Sequence, residues 1–289
     1  MTAKAELFVD SRCELGEGPF WNPLLDRLFW FDILNQTLLS ATADGQLVDR
    51  ITFKDKASAA AVVDTDTLAV AQSGGLVRYQ FSTDLTTPIA PIEADAPHNR
   101  TNDSRMDRSG GFWIGTMNRG GGGPKTGAVY QWKAGVLTPI LQNLGIPNSI
   151  CFSPDGTRAY FTDAGAVILT AQLDPETGLP IGPWTEFFSG APGGGDGSVV
   201  DSEGFVWNAR WGGSCVIRIA PNGKLDRVIE LPVPNVSCPA FGGKDFKTLY
   251  LTTAREHMSP AELEQYPLSG SVFAIEVDVP GLPEPFLKL

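Results

Sequence analysis

The sequence predicts an all-β protein, a six-bladed β-propeller with one short peripheral helix. Two observations carry this. First, 32 Gly and 22 Pro are spread along 289 residues and cut the chain into short segments, few of which keep a helical period for three turns. Second, short apolar runs recur: Leu28-Phe29-Trp30-Phe31, Leu68-Ala69-Val70-Ala71, Phe112-Trp113-Ile114, Ala159-Tyr160-Phe161, Val206-Trp207 and Leu249-Tyr250-Leu251. With residues 30, 70, 113, 160, 207 and 250 as equivalents, the intervals are 40, 43, 47, 47 and 43. A period of about 40–50 residues holding about four strands is that of a propeller blade. Six copies make one ring, a single domain over residues 1–289.

Within a copy, a turn carrying Asp, Gly or Ser precedes the apolar run, as in Asp107-Arg108-Ser109-Gly110-Gly111, Pro154-Asp155-Gly156 and Asp201-Ser202-Glu203-Gly204. These residues tolerate tight-turn backbone angles. A second strand follows, such as residues 127–132, 215–219 or 271–275. The last copy ends near Val279, which leaves Glu6-Leu7-Phe8-Val9 to close the ring as an added strand. Residues 259–266 break the pattern. Ser259 is placed as an N-cap, with Pro260 at the first helical position and Glu262 three residues after the cap, so the spacing predicts a short helix packed outside the sheets. No string of crossover helices is present to build a parallel α/β fold.

Composition excludes several functions. Lys and Arg number 22 against 33 Asp and Glu, a net charge of −11 with no basic run, which argues against nucleic acid and against an anionic membrane surface. The N-terminal segment lacks an unbroken apolar signal region, and no window approaches the roughly 18 apolar residues of a membrane span, so a soluble, cytoplasmic protein is expected. Cys13, Cys151, Cys215 and Cys238 are scattered and read as buried thiols. With only His98 and His257, and no Gly-x-Ser-x-Gly elbow, serine hydrolysis is disfavoured. A Cys/His zinc site lacks its ligands. The GGGGPKT run at 120–126 has Pro124 where a phosphate loop needs glycine, and reads as a flexible loop.

Carboxylates and amides in glycine-rich turns remain. Glu17 sits in Leu15-Gly16-Glu17-Gly18-Pro19, Asn148 in Gly145-Ile146-Pro147-Asn148-Ser149, and Asp196 in Gly193-Gly194-Gly195-Asp196-Gly197. Singly, each also reads as ordinary turn chemistry. Together, the blade count places all three just before the strand that opens a repeat, where loops reach the central channel, and oxygen donors converging there suit a hard divalent cation. His98-Asn99-Arg100-Thr101-Asn102-Asp103, followed by Gly115-Thr116-Met117-Asn118, reads either as a polar inter-blade turn or as a pair of donors, Arg100 and Asn102, for a polyhydroxylated ligand.

At these residues the sequence resembles the senescence-marker-protein (regucalcin)/gluconolactonase family. The motifs are Leu-Gly-Glu-Gly-Pro-x-Trp (15–21), Arg-x-Asn-Asp with Gly-Thr-Met (100–117), Pro-Asn-Ser with Ser-Pro-Asp-Gly-x-x-x-Tyr-x-Thr-Asp (147–163), Asp-Gly-x-x-x-Asp-x-x-Gly-x-x-Trp (196–207) and Phe-Gly-Gly-x-x-x-x-x-Leu-Tyr-x-Thr (241–252). The C-terminal third is similar to that of bacterial aldonolactonases such as xylonolactonase. The resemblance implies a six-bladed propeller hydrolysing a sugar lactone at one divalent metal ion. It places the metal ligands on Glu17, Asn148 and Asp196 and the substrate-holding pair on Arg100 and Asn102. The ion is left open among Ca²⁺, Zn²⁺, Fe²⁺, Mn²⁺ and Mg²⁺. Asp196 is also the candidate general base. Two departures are visible: Gly120 stands where some members carry an acidic residue, opening the far side of the pocket, and Gly195 stands where proline is usual, which should loosen that turn. The alternatives are a propeller hydrolase acting on other esters or phosphotriesters, and a non-catalytic metal-binding or interaction platform.

Overall fold

A computed structural model of the chain describes residues 3–165 and 167–289. Six antiparallel sheets stand around an axis, each running outward in chain order from an innermost strand. The innermost strands are Gly16–Asn22, Ala57–Val62, Asn99–Met106, Pro147–Phe152, Gly194–Val200 and Val236–Gly242, which define blades 1 to 6. The repeat positions 30, 70, 113, 160, 207 and 250 all fall on the second strand of their blade. Glu6–Val9 pairs antiparallel with Val272–Glu276 and completes blade 6, so the ring closes as the sequence predicts. An unanticipated second clasp lies beside it, where Ala3–Lys4 pairs in parallel with the outer strand Leu225–Glu230 of blade 5.

The core is a set of wedges between blades. Leu15, Phe20, Phe29 and Phe31 of blade 1 pack on Leu68, Val70 and Tyr79 of blade 2, and comparable clusters fill the other five junctions. Both faces of a middle strand are therefore buried, which is why its sequence is a continuous apolar run and not an alternation. Cys13, Cys151, Cys215 and Cys238 are free and buried in or beside these wedges. The helix Pro260–Gln265 has the expected capping box at Ser259, and none of its residues is buried. No helix among the described residues is long and apolar enough to cross a membrane.

The Asp-x-x-Gly-x-x-Trp motif explains its own spacing. In blade 5, Asp201 accepts the amides of Glu203 and Phe205, both at 3.0 Å, and the indole N–H of Trp207 at 2.9 Å. Arg218 reaches the same carboxylate through Nε at 2.8 Å and Nη2 at 2.7 Å, while its guanidinium lies 3.6 Å from the centre of the Phe205 ring. Asp107 does the same work in blade 3 with Ser109, Gly111 and Trp113, and Gln131 replaces the arginine. One carboxylate thus ties a turn, the second strand and the third.

The C-terminal segment crosses the far end of the channel. Gly281 bridges to Asp201, Glu284 pairs with Arg105 at 2.8 Å, and the Leu287 amide donates to Val62 O.

Asp201→Ala leaves the Trp207 N–H and Arg218 Nε buried without an acceptor and orphans the turn amides of Glu203 and Phe205, while the Arg218 guanidinium keeps its pairs with Glu203 and Asp226. The expected loss is about 2–4 kcal/mol from the unsatisfied buried donors, seen as a melting temperature lower by roughly 5–10 °C in calorimetry.

Candidate metal and substrate site

Every innermost strand carries one extra residue relative to its neighbour. The register shifts lie between Glu17 and Phe20, Ala57 and Ala59, Thr101 and Ser104, Asn148 and Cys151, Gly195 and Ser198, and Val236 and Cys238. A bulge bends the strand and re-aims its side chains, and here it turns polar groups toward the axis. Two bulge residues adopt left-handed backbone angles, Gly18 with φ 53° and Ser149 with φ 64°. At Gly18 a side chain is also impossible, because a Cβ would lie 2.1 Å from the Ser58 carbonyl oxygen. Glu17, Asn148 and Asp196 therefore lie within the first residues of innermost strands and not in loops before them, a correction to the expectation from the blade count. Residues 99–106 are likewise a buried innermost strand and not a turn.

All five predicted residues line one cavity of about 250 Å³ at this end of the channel, together with Leu15, Met117, Ile146, Trp211, Arg119 and Glu256. The sequence reading missed this second group. Met117 lies inside the Gly-Thr-Met motif, but nothing in the sequence marks Glu256, which exits the second strand of blade 6. Arg119 is held at the rim by a bidentate pair with Asp55, at 2.9 and 2.8 Å. Asp103, adjacent to Asn102 in the motif, is buried and accepts the Ile150 amide at 2.7 Å. Gly120 is not among the residues that line the cavity; its neighbour Gly121 is, and a Cβ there would meet nothing.

Gly195 does not loosen its turn. Its amide donates to the Gly165 carbonyl at 2.8 Å, tying blade 5 to blade 4, a bond proline could not make.

The electrostatics at the cavity floor are those of buried carboxyls that Arg100 and Arg105 compensate only in part. Burial pushes the Glu17 carboxyl far above the usual carboxylate range, and the Asp103 charge adds to the push. Burial also raises Asp196, reinforced by Glu17 and then Asp103. Asp103 rises to about 6, again mainly through burial. The Asp196 carboxylate accepts no hydrogen bond from any described residue, and Glu17 accepts only the Gly18 amide, at 2.8 Å. Among the described residues no three His, Cys, Asp or Glu side chains close on one point. The donor set is instead two carboxylates and the Asn148 amide oxygen, all hard donors around a site of excess negative charge. That set fits a divalent cation of the Ca²⁺, Mn²⁺ or Mg²⁺ type.

The SMP-30/gluconolactonase/LRE-like region matches residues 15–255, most of the chain and every predicted site residue. The chain belongs to this family. Among members, it is 33% identical to a 6-deoxy-6-sulfogluconolactonase of Pseudomonas putida, with 94% of each chain covered. It is 32% identical to an L-arabinolactonase of Azospirillum brasilense, over 96% of this chain and 94% of the relative. The crystal structure of a calcium-binding protein, regucalcin, from Agrobacterium tumefaciens superposes with a TM-score of 0.95 at 37% identity, over 100% of this chain and 98% of that one.

The raised carboxyls give a signed expectation for the metal-free protein. A carboxyl whose folded pKa lies above its unfolded value binds more protons in the folded state, so its contribution to stability falls as pH rises from the unfolded value through the folded one. Glu17→Gln removes that burden. In the presence of chelator it should melt higher than the parent at pH 8, with the advantage shrinking at pH 5, where Glu17 is itself protonated. The same variant should bind divalent ions more weakly in calorimetry.

Proposed function

We propose that the protein hydrolyses a sugar aldonolactone, a pentono- or hexonolactone, to the aldonic acid with one divalent cation. The observation that carries this is the convergence of Glu17, Asn148 and Asp196 on one cavity with the inward-facing guanidinium of Arg100. Relatives named for an arabinolactone and for a sulfogluconolactone support a substrate class spanning five- and six-carbon lactones.

Glu17, Asn148 and Asp196 would hold the cation, which when bound polarises the lactone carbonyl and stabilises negative charge on its oxygen. Arg100 orients the substrate. Its Nη1 is engaged by Thr101 O and Asn102 Oδ1, at 2.9 and 2.8 Å, whereas its Nη2 donates to no described residue. That leaves charge-assisted donors for lactone oxygens. A carboxylate oxygen of Asp196, otherwise unpartnered, takes the proton of the attacking water. Water adds to the carbonyl carbon, the bond from that carbon to the ring oxygen breaks, and the proton returns to the ring oxygen as it becomes a hydroxyl. A positive charge and a positioned base in one pocket fit a reacting site better than a passive platform does.

The test strips the purified protein with chelator, restores Ca²⁺, Mn²⁺, Mg²⁺, Fe²⁺ or Zn²⁺ singly, and follows acid release from D-xylono-, L-arabinono-, D-galactono- and D-gluconolactone with a pH indicator. Hydrolysis should require one of the ions and fall at least about a hundredfold in Asp196→Asn, the scale of several kcal/mol that a polarising metal supplies. Arg100→Ala should lower kcat/KM about tenfold to a hundredfold, the loss of a charged hydrogen bond. Turnover no faster than buffer with every ion, from a folded protein, would sink the proposal.

A further inference from the structure

The pair assigned to substrate by resemblance, Arg100 and Asn102, is not equivalent in the structure. Arg100 keeps donors facing the cavity. Asn102 does not: both N–H bonds of its amide are engaged, one to Pro147 O at 2.9 Å and one to Asn148 Oδ1 at 2.6 Å. Its own Oδ1 accepts Arg100 Nη1 at 2.8 Å. An Asn side chain has two donors and one acceptor oxygen, so only one lone pair of Asn102 is left for a ligand. Its backbone is fixed as well, the carbonyl accepting Ser58 Oγ at 2.7 Å and Ser104 Oγ at 3.1 Å. The chain Arg100→Asn102→Asn148 runs from the substrate-facing cation to a candidate metal ligand and crosses from blade 3 to blade 4.

We propose that Asn102 is a positioning residue for the metal centre: its amide donates to Asn148 Oδ1, fixes that amide with its oxygen toward the axis, and holds Arg100 in register with it. The inference rests on the metal-site reading above. A donor on a ligating amide does three things. It selects which of the two amide atoms faces the ion, since the nitrogen end cannot accept this bond. It limits rotation of the Asn148 side chain, reducing the order the ion must impose. It also links ion occupancy to the placement of Arg100, so the metal and the substrate donor are set by one side chain. Groups that orient a metal ligand typically change metal affinity by 10–100-fold when removed.

The experiment measures binding of Ca²⁺, Mn²⁺, Mg²⁺, Fe²⁺ and Zn²⁺ by isothermal titration calorimetry in the full chain, for the parent and Asn102→Ala, and separately the lactone KM and kcat at saturating ion. Positioning predicts a Kd for ion 10–100-fold weaker, recovery of most of kcat when the ion is raised to saturation, and a KM within about threefold of the parent. A direct substrate contact predicts the opposite split, an ion Kd within twofold of the parent and a raised KM, and that result overturns the inference. If Asn102→Ala does not fold by circular dichroism, Asn102→Leu carries the same comparison, since it keeps the size of the side chain and neither donor. An ion Kd unchanged in that variant overturns the inference equally. A parent that binds none of Ca²⁺, Mn²⁺, Mg²⁺, Fe²⁺ and Zn²⁺ sinks both this inference and the metal-site reading. A parent that binds ion but opens no lactone sinks the proposed function alone, because the Kd comparison still decides the role of Asn102.

Discussion

Like charge buried at the propeller axis is the constraint around which the rest of the site is arranged. Burial lifts Glu17, Asp103 and Asp196 above ordinary carboxylates, and like charge adds to it, from Asp103 on Glu17 and from Glu17 and Asp103 on Asp196. Charge of this kind is costly unless paired. On one side Arg100 supplies partial compensation, and on the other Arg105 does, itself paired with Glu284 of the C-terminal segment. The residual imbalance is what a divalent ion would relieve, so the energetic cost of the empty arrangement and the affinity for a cation are two faces of one design.

The scaffold bears that cost because its stability is assembled elsewhere. Each junction between blades has its own apolar wedge, and the Asp107 and Asp201 turn clasps tie strands well away from the cavity. Ring closure by the N-terminal strand converts the sum of these wedges into one body, since no blade can leave without exposing two interfaces. The polar belt on the innermost strands can then depart from apolar packing without unfolding the ring. Its inter-blade hydrogen bonds, such as Ser58 to Asn102 O and Ser149 to Ser198, hold adjacent bulges in fixed relation. Geometry at the axis is therefore set by neighbouring blades as a group.

That cross-blade dependence explains why Arg100 and Asn102 differ although they sit two residues apart. Residues two apart on a regular strand face the same side, and by that rule both should present donors to a ligand. The bulge after Thr101 turns Asn102 toward the neighbouring blade, where Pro147 and Asn148 engage it, while Arg100 remains at the cavity wall.

The sequence by itself determined the blade number, the second strand of every blade, the closing strand and the capped helix, because apolar periodicity, turn chemistry and capping are local and repeat in the chain. It also marked Glu17, Asn148 and Asp196, because polar residues stand out among glycines and small residues, and Arg100 and Asn102 through the motif shared with the family. Tertiary structure decided the rest. Glu17, Asn148 and Asp196 share a cavity only because three bulged strands, far apart in the chain, are brought around one axis. The contacts of Asp103 and Arg119, the tethered amide of Gly195 and the engaged amide of Asn102 depend on partners in other blades. A hydrogen bond between residues 102 and 148 leaves no trace in the spacing of either.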